Sequence, residues 1–100
     1  MRAMSEYSFP EMHDWSLLTA EVDWPSGRVM VNLKSAEGRR ILTAHAVSSF
    51  QMPRLAPWGE SISINALTVG RSEDDASHIA QIQMQSGDVI TIQAQAFKLD

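Results

Sequence analysis

The amino-acid sequence predicts an all-β protein, with about six antiparallel strands in meander order forming a small sandwich or a partly open barrel. Three observations lead there. Apolar residues recur with period two along most of the chain, no window keeps them at helical spacing for the ten or so positions a helix requires, and Gly, Pro, Ser and Asp cluster between the alternating runs. The 100 residues suffice for one hydrophobic core and no second. Residues 1–100 are therefore read as a single β domain, with residues 1–12 expected to be mobile.

The first strand runs from about Trp15 to Trp24, with Leu18, Ala20, Val22 and Trp24 on one face and Leu17, Thr19, Glu21 and Asp23 on the other. Pro25-Ser26-Gly27 supplies a fixed φ and then a residue free to take positive φ, which is a hairpin turn. The second strand, about Arg28 to Lys34, turns Val29, Val31 and Leu33 inward. Matching the two apolar sets places Trp24 opposite Val29, Val22 opposite Val31 and Ala20 opposite Leu33, leaving Pro25 to Arg28 as a four-residue loop. Ser35-Ala36-Glu37-Gly38 is the second turn.

The third strand, about Arg39 to Ser48, is apolar on both faces, with Leu42, Ala44 and Ala46 on one and Ile41, Thr43, His45 and Val47 on the other. That suits a strand covered on both sides or one that changes sheets partway. Periodicity is lost from Ser49 to Glu60, where Pro53, Pro57 and Gly59 oppose a regular ladder. Alternation resumes through Ile62 and Ile64 and slips phase at Ala66-Leu67, predicting a bulge. Residues 70–77 are a polar, acidic loop. In the last hairpin His78, Ala80, Ile82 and Met84 face inward, then Ile90, Ile92 and Ala94 after Ser86-Gly87-Asp88. Pairing Gln85 with Val89 sets Met84 against Ile90, Ile82 against Ile92 and Ala80 against Ala94, so each apolar residue meets another.

Composition narrows the function classes. Hydrophobic residues make up 44% and charged residues 20%, too apolar a mix for a disordered segment. Twelve acidic against eight basic residues give a net charge of -4, which opposes a phosphate backbone or an anionic membrane. Neither nucleic acid nor membrane is an expected partner. The chain has no cysteine, which excludes disulfides, thiolate catalysis and Cys-ligated zinc. No apolar run approaches the ~18 residues of a membrane helix, and the first six residues lack a signal-peptide core. A bacterial-type cytosolic setting is the expectation.

Several residues carry chemistry worth placing. His13, His45 and His78, with Asp14, Glu73, Asp74 and Asp75, are the possible metal ligands, but no two histidines have ligating spacing and Glu73-Asp74-Asp75 lacks the pattern of a calcium loop. No metal or cofactor is expected. His13-Asp14 invites an acid–base reading, yet no nucleophile or phosphate-binding motif accompanies it, so Asp14 is read as capping a turn and Trp15 as filling one end of the core. Arg28, Lys34, Arg39 and Arg40 lack interleaved aromatic residues and are read as solvated charge at strand edges. Met52, Arg54, Leu55 and Trp58 lie in a segment stiffened by Pro53 and Pro57, either presenting interface anchors or plugging an open end of the core. Gln81, Gln83, Gln85, Thr91, Gln93 and Gln95 form an uncharged outer row on the last hairpin, suited to pairing with a second copy.

These residues also carry a resemblance. Phe9-x-x-x-His13-Asp14-Trp15, Glu21-Val22-Asp23-Trp24, Pro53-Arg54, Pro57-Trp58-Gly59, Ser63-Ile64-Asn65 and Met84-Gln85-Ser86-Gly87-Asp88 resemble small uncharacterised bacterial proteins of this length. That implies a compact β-rich domain and no particular activity. The opening Phe-x-x-x-His-Asp is similar to that of some immunity proteins of bacterial toxin systems. The expectation is a non-catalytic cytosolic binding module, immunity-like, with a protein partner or itself as ligand. The alternative is a small enzyme or ligand-binding protein with a pocket near His13, Asp14 and Trp58.

Overall fold

A computed structural model describes residues 9–55, 62–71 and 77–100. Six strands are present: β1 (Ser16–Asp23), β2 (Arg28–Ser35), β3 (Gly38–Gln51), β4 (Ile64–Arg71), β5 (His78–Met84) and β6 (Val89–Leu99). They form one antiparallel sheet in the order β1-β2-β3-β6-β5-β4. The order is meander-like: two three-stranded meanders lie side by side, joined where β6 pairs with β3. Among the described residues no helix is long and apolar enough to cross a membrane.

The sheet curls until its two edges touch at one end. There Ser16 bridges Ser63, the Leu17 amide donates to the Ile62 carbonyl (2.7 Å) and the Ile64 amide to the Trp15 carbonyl (2.8 Å). The edges part beyond this point, so the sheet is neither a two-sheet sandwich nor a closed barrel. Its concave side holds the core, in which Leu33, Leu42, Ile64, Ile82 and Ile92 are buried. Met12 is buried and Phe9 packs against the core; residues 1–8 of the segment expected to be mobile lie outside the described residues.

Both hairpins keep the inward-facing sets predicted for β2, β5 and the first half of β6 but change the pairing by two residues. Val22 faces Val29 and Ala20 faces Val31, with Asp23 opposite Arg28. The loop keeps four residues but is Trp24 to Gly27. A shift of two leaves the same face inward, so the apolar pattern cannot distinguish the registers. Turn chemistry does: Gly27 takes φ +68°, its amide donates to the Trp24 carbonyl (3.2 Å), and Arg28 pairs with Asp23 (3.5 Å). In the last hairpin Ile82 faces Ile90, Ala80 faces Ile92 and His78 faces Ala94. The loop is Gln85-Ser86-Gly87, closed by the Met84 amide on the Asp88 carbonyl (2.8 Å) and the Gly87 amide on the Met84 carbonyl (3.0 Å).

Irregularities in three strands reset which side chains face inward. In β1 Leu17 pairs with Leu33 and Thr19 with Asn32, leaving Leu18 as an extra residue. The predicted face of Leu18, Ala20, Val22 and Trp24 is thereby broken: Leu17 and Ala20 pack on the core, while Val22 and Trp24 are 54% and 87% exposed. In β3, which runs three residues past the predicted end, Ala46 adopts φ +56°. Inward positions pass from Leu42 and Ala44 to Val47 across Ala46, and on to Phe50 across the extra residue Ser48, where the register with β6 shifts, so the strand apolar on both faces bends within one sheet rather than changing sheets. The β4 slip is present at Asn65, between Ile64↔Met84 and Ala66↔Gln83, and lets Leu67 and Val69 follow Ile64 onto the core.

Candidate functional site

The turn before β1 carries His13 and Asp14. Asp14 takes φ +72°, a conformation Asp tolerates better than most residues. Its amide donates to the Ile64 carbonyl (2.8 Å), and its carboxylate accepts from Gln85 Nε2 (2.7 Å). His13 Nδ1 lies 3.2 Å from the Asn65 carbonyl and Nε2 lies 3.6 Å from Asp14 Oδ1. The His13–Asp14 pair therefore does meet, because both residues sit in a turn rather than on opposite faces of a strand. The side chains are 52% and 74% exposed. Water reaches both, and the contacts join the turn to β4 and the β5–β6 loop, which makes them a clasp. Beside it Trp15 packs on the core with the Arg40 guanidinium 5.5 Å from its ring centroid, a cation–π contact. Arg40 Nε also donates to the Asp100 carbonyl (3.0 Å).

The open side of the sheet holds a cleft of about 320 Å³. Leu17, Leu18, Ala20, Ile62, Met84 and Ile90 give it apolar walls, and Met52, Pro53 and Arg54 border it from the segment after β3. That segment is held by the Leu55 amide, which donates to Asp88 Oδ1 (3.0 Å). Asp88 is itself fixed by Ser86 Oγ, which donates to Oδ2 (3.2 Å). The predicted residues Met52 and Arg54 thus come together at the cleft, with Leu55 beside them and 85% exposed. His13 and Asp14 are not among its lining residues, and Trp58 lies outside the described residues. Ile62, Leu17, Leu18 and Asp88 escaped the sequence reading as site residues. The adjacent pair Leu17-Leu18, which breaks strict alternation, was the signal for two of them.

A second cleft, of about 310 Å³, opens at the other end of β1, bordered by Val22, Trp24, Gly27, Val47 and Phe50. The remaining candidates are dispersed. Among the described residues no three His, Asp or Glu side chains are grouped to hold a metal; Glu73, Asp74 and Asp75 lie outside the described residues. Lys34 faces Arg39 across β2 and β3, whereas Arg28 and Arg40 are engaged as described. On the outer face Gln81 pairs with Thr91 and Gln83 with Val89. Their neighbours are Thr68 and Ala66 on β4 and Gln51 beyond Thr91 on β3, so no charged residue interrupts these rows. Gln93 donates to Ser77 Oγ (2.9 Å), Gln85 is drawn away to Asp14, and Gln95 is exposed where β6 changes phase.

No protein-family model and no curated protein matches the chain. A crystal structure of an uncharacterised protein from Neisseria gonorrhoeae is similar to it, with 12% identity and a TM-score of 0.66 over 88% of this chain and 91% of that one. A likeness at that identity is one of fold alone.

Proposed function

We propose that the chain is a non-catalytic binding module that engages a partner protein at the cleft between β1 and the segment after β3. The observation that carries this reading is the rim. Leu18, Met52 and Ile62 border the cleft at 37%, 48% and 51% exposure, next to Leu55, whose amide donates to Asp88. Large apolar side chains gathered around a concavity on a small domain mark an interaction site, and a fixed segment loses little entropy on binding. Neutralising or scaffolding such a partner is the role that small size and a net charge of -4 suit, through charge complementarity with a basic partner. Among the described residues the competing enzyme reading rests on the exposed His13–Asp14 pair, which the clasp already employs.

The test is quantitative capture of partners from the native cytosol on immobilised wild type and on Met52→Asp with Ile62→Asp. Partner retained by the wild type and lost by a variant with an unchanged circular dichroism spectrum is the expected outcome. Equal capture by both, or turnover in a broad hydrolase screen that His13→Ala abolishes, removes the reading.

A further inference from the structure

We propose that the partner docks as an extended strand added to the free edge of β1, seating apolar side chains in the two clefts and basic side chains beside Glu21 and Asp23. The inference rests on the binding-module reading and specifies the chemistry of its partner. β1 pairs with β2 along one edge. Along the other, among the described residues, the bridge at Ser16 and the Leu17–Ile62 hydrogen bond are its last backbone contacts, so the backbone from Leu18 to Asp23 is unpaired there. Natural edge strands are blocked by charged side chains, lysine above all, by proline, by bulges or by a covering element. From Ser16 to Asp23 β1 has no lysine, arginine, proline or glycine; its bulge at Leu18 stands at the very start of the open stretch, and its only charges, Glu21 and Asp23, are acidic and suit a basic partner.

The clefts fit this occupant. One touches Leu18 and Ala20 and the other Val22 and Trp24, four residues further along, which is about 13 Å at the rise of a strand. An added strand has the same rise, so its side chains at i and i+4 point to the same face and meet both cavities. Its alternate side chains face outward beside Glu21 and Asp23. Among the described residues those carboxylates have Asn32 Nδ2 at 3.3 Å and the partly exposed Arg28 at 3.5 Å as polar partners, and the chain carries a net charge of -4. Opposite charges across a strand pair attract and like charges repel. The fitting segment therefore alternates apolar with lysine or arginine. A second copy is the poorer occupant, since pairing β1 with itself gathers Glu21 and Asp23 of both chains on one face.

The experiment titrates the full chain with fluorescein-labelled decapeptides: one alternating valine or leucine with lysine, and its counterpart with glutamate for lysine. The lysine peptide is expected to bind about tenfold more tightly than the glutamate peptide and to slow hydrogen exchange at backbone amides between Leu18 and Asp23. Glu21→Lys, at an exposed position, should abolish the preference; Thr19→Lys, also exposed, is the second variant should the first fold poorly. Equal binding of both peptides, protection confined to β4, or β1 amides already protected in a peptide-free dimer overturns the proposal. Binding that Met52→Asp with Ile62→Asp abolishes, without β1 protection, overturns strand addition and leaves the module reading standing. Partner capture indifferent to those cleft variants removes the module reading itself.

Discussion

Ile62 and Ile64 stand two residues apart and, on a regular strand, would share one fate. The structure separates them. Ile64 is fully buried, while Ile62 is 51% exposed at the cleft rim. Truncation of Ile64 to alanine deletes three buried carbons, worth about 0.8 kcal/mol each in transfer, and leaves a cavity under the edge-to-edge bridge. The expected cost is about 3–4 kcal/mol, within the range for buried isoleucine. For Ile62→Ala half the side chain is already in water and no closed cavity forms, so the expected cost is about 1 kcal/mol. In a domain of this size those values correspond to melting-temperature drops of about 15 °C or more and about 4–8 °C. Urea unfolding supplies the free energies directly, with unchanged slopes showing that the unfolded states are comparable. Equal costs for the two variants would refute the placement of Ile64 beneath the bridge and of Ile62 at the rim, and with it the cleft.

Ala46 holds φ +56°, which costs a non-glycine residue about 1 kcal/mol or more, so Ala46→Gly should be neutral or raise the unfolding free energy from urea titration by up to about 1 kcal/mol after the glycine's entropy is counted. Gly38 at φ +129° has nothing within 4 Å of an added Cβ, so any loss in Gly38→Ala, about 1–3 kcal/mol, measures backbone strain alone. Gln85→Ala removes the hydrogen bond to Asp14 and should lower stability by about 1–2 kcal/mol, whereas a change below about 0.3 kcal/mol would show that the clasp is idle. The uncharged outer rows predict a homodimer, which Gln83→Lys with Gln93→Lys should convert to monomer in light scattering with an unchanged circular dichroism spectrum. A wild type already monomeric at high concentration rules that dimer out.

The all-β class, the inward set of β2, the alternation of the last hairpin and the bulge in β4 were legible because each follows from period-two burial. Register was less so: pairing β1 with β2, or β5 with β6, two residues away keeps the same apolar set inward, and only Gly27 and Gly87 at positive φ decide where the turns close. The inward reset at Ala46 was hidden because alanine carries no turn signal, and at Leu18 because two leucines in a row read equally well on either face. Of the cleft, Met52 and Arg54 were visible, with Leu55 beside them. The rest depends on contacts across the chain, such as Asp88 holding the Leu55 amide, which no local pattern announces.

The cleft and the outer glutamine rows obey different physics, and the curled sheet keeps them on opposite sides of its wall. A strand added at β1 fills cavities on the concave side, where Leu17 and Ala20 point, while Gln81 and Gln83 stand exposed on the convex side. Neither surface blocks the other. Binding at β1 draws on Glu21 and Asp23, charges at an exposed edge, so added salt should weaken it as the screening length falls from about 8 Å near physiological ionic strength to about 3 Å at 1 M. Association through rows that carry no charge has no such term and should persist or strengthen in salts excluded from the protein surface. One titration of salt, read by peptide anisotropy and by light scattering on the same samples, therefore assigns each event to its face. Parallel loss of both signals would place peptide and second copy on a single surface, and the separation drawn from the sheet's curvature would be wrong.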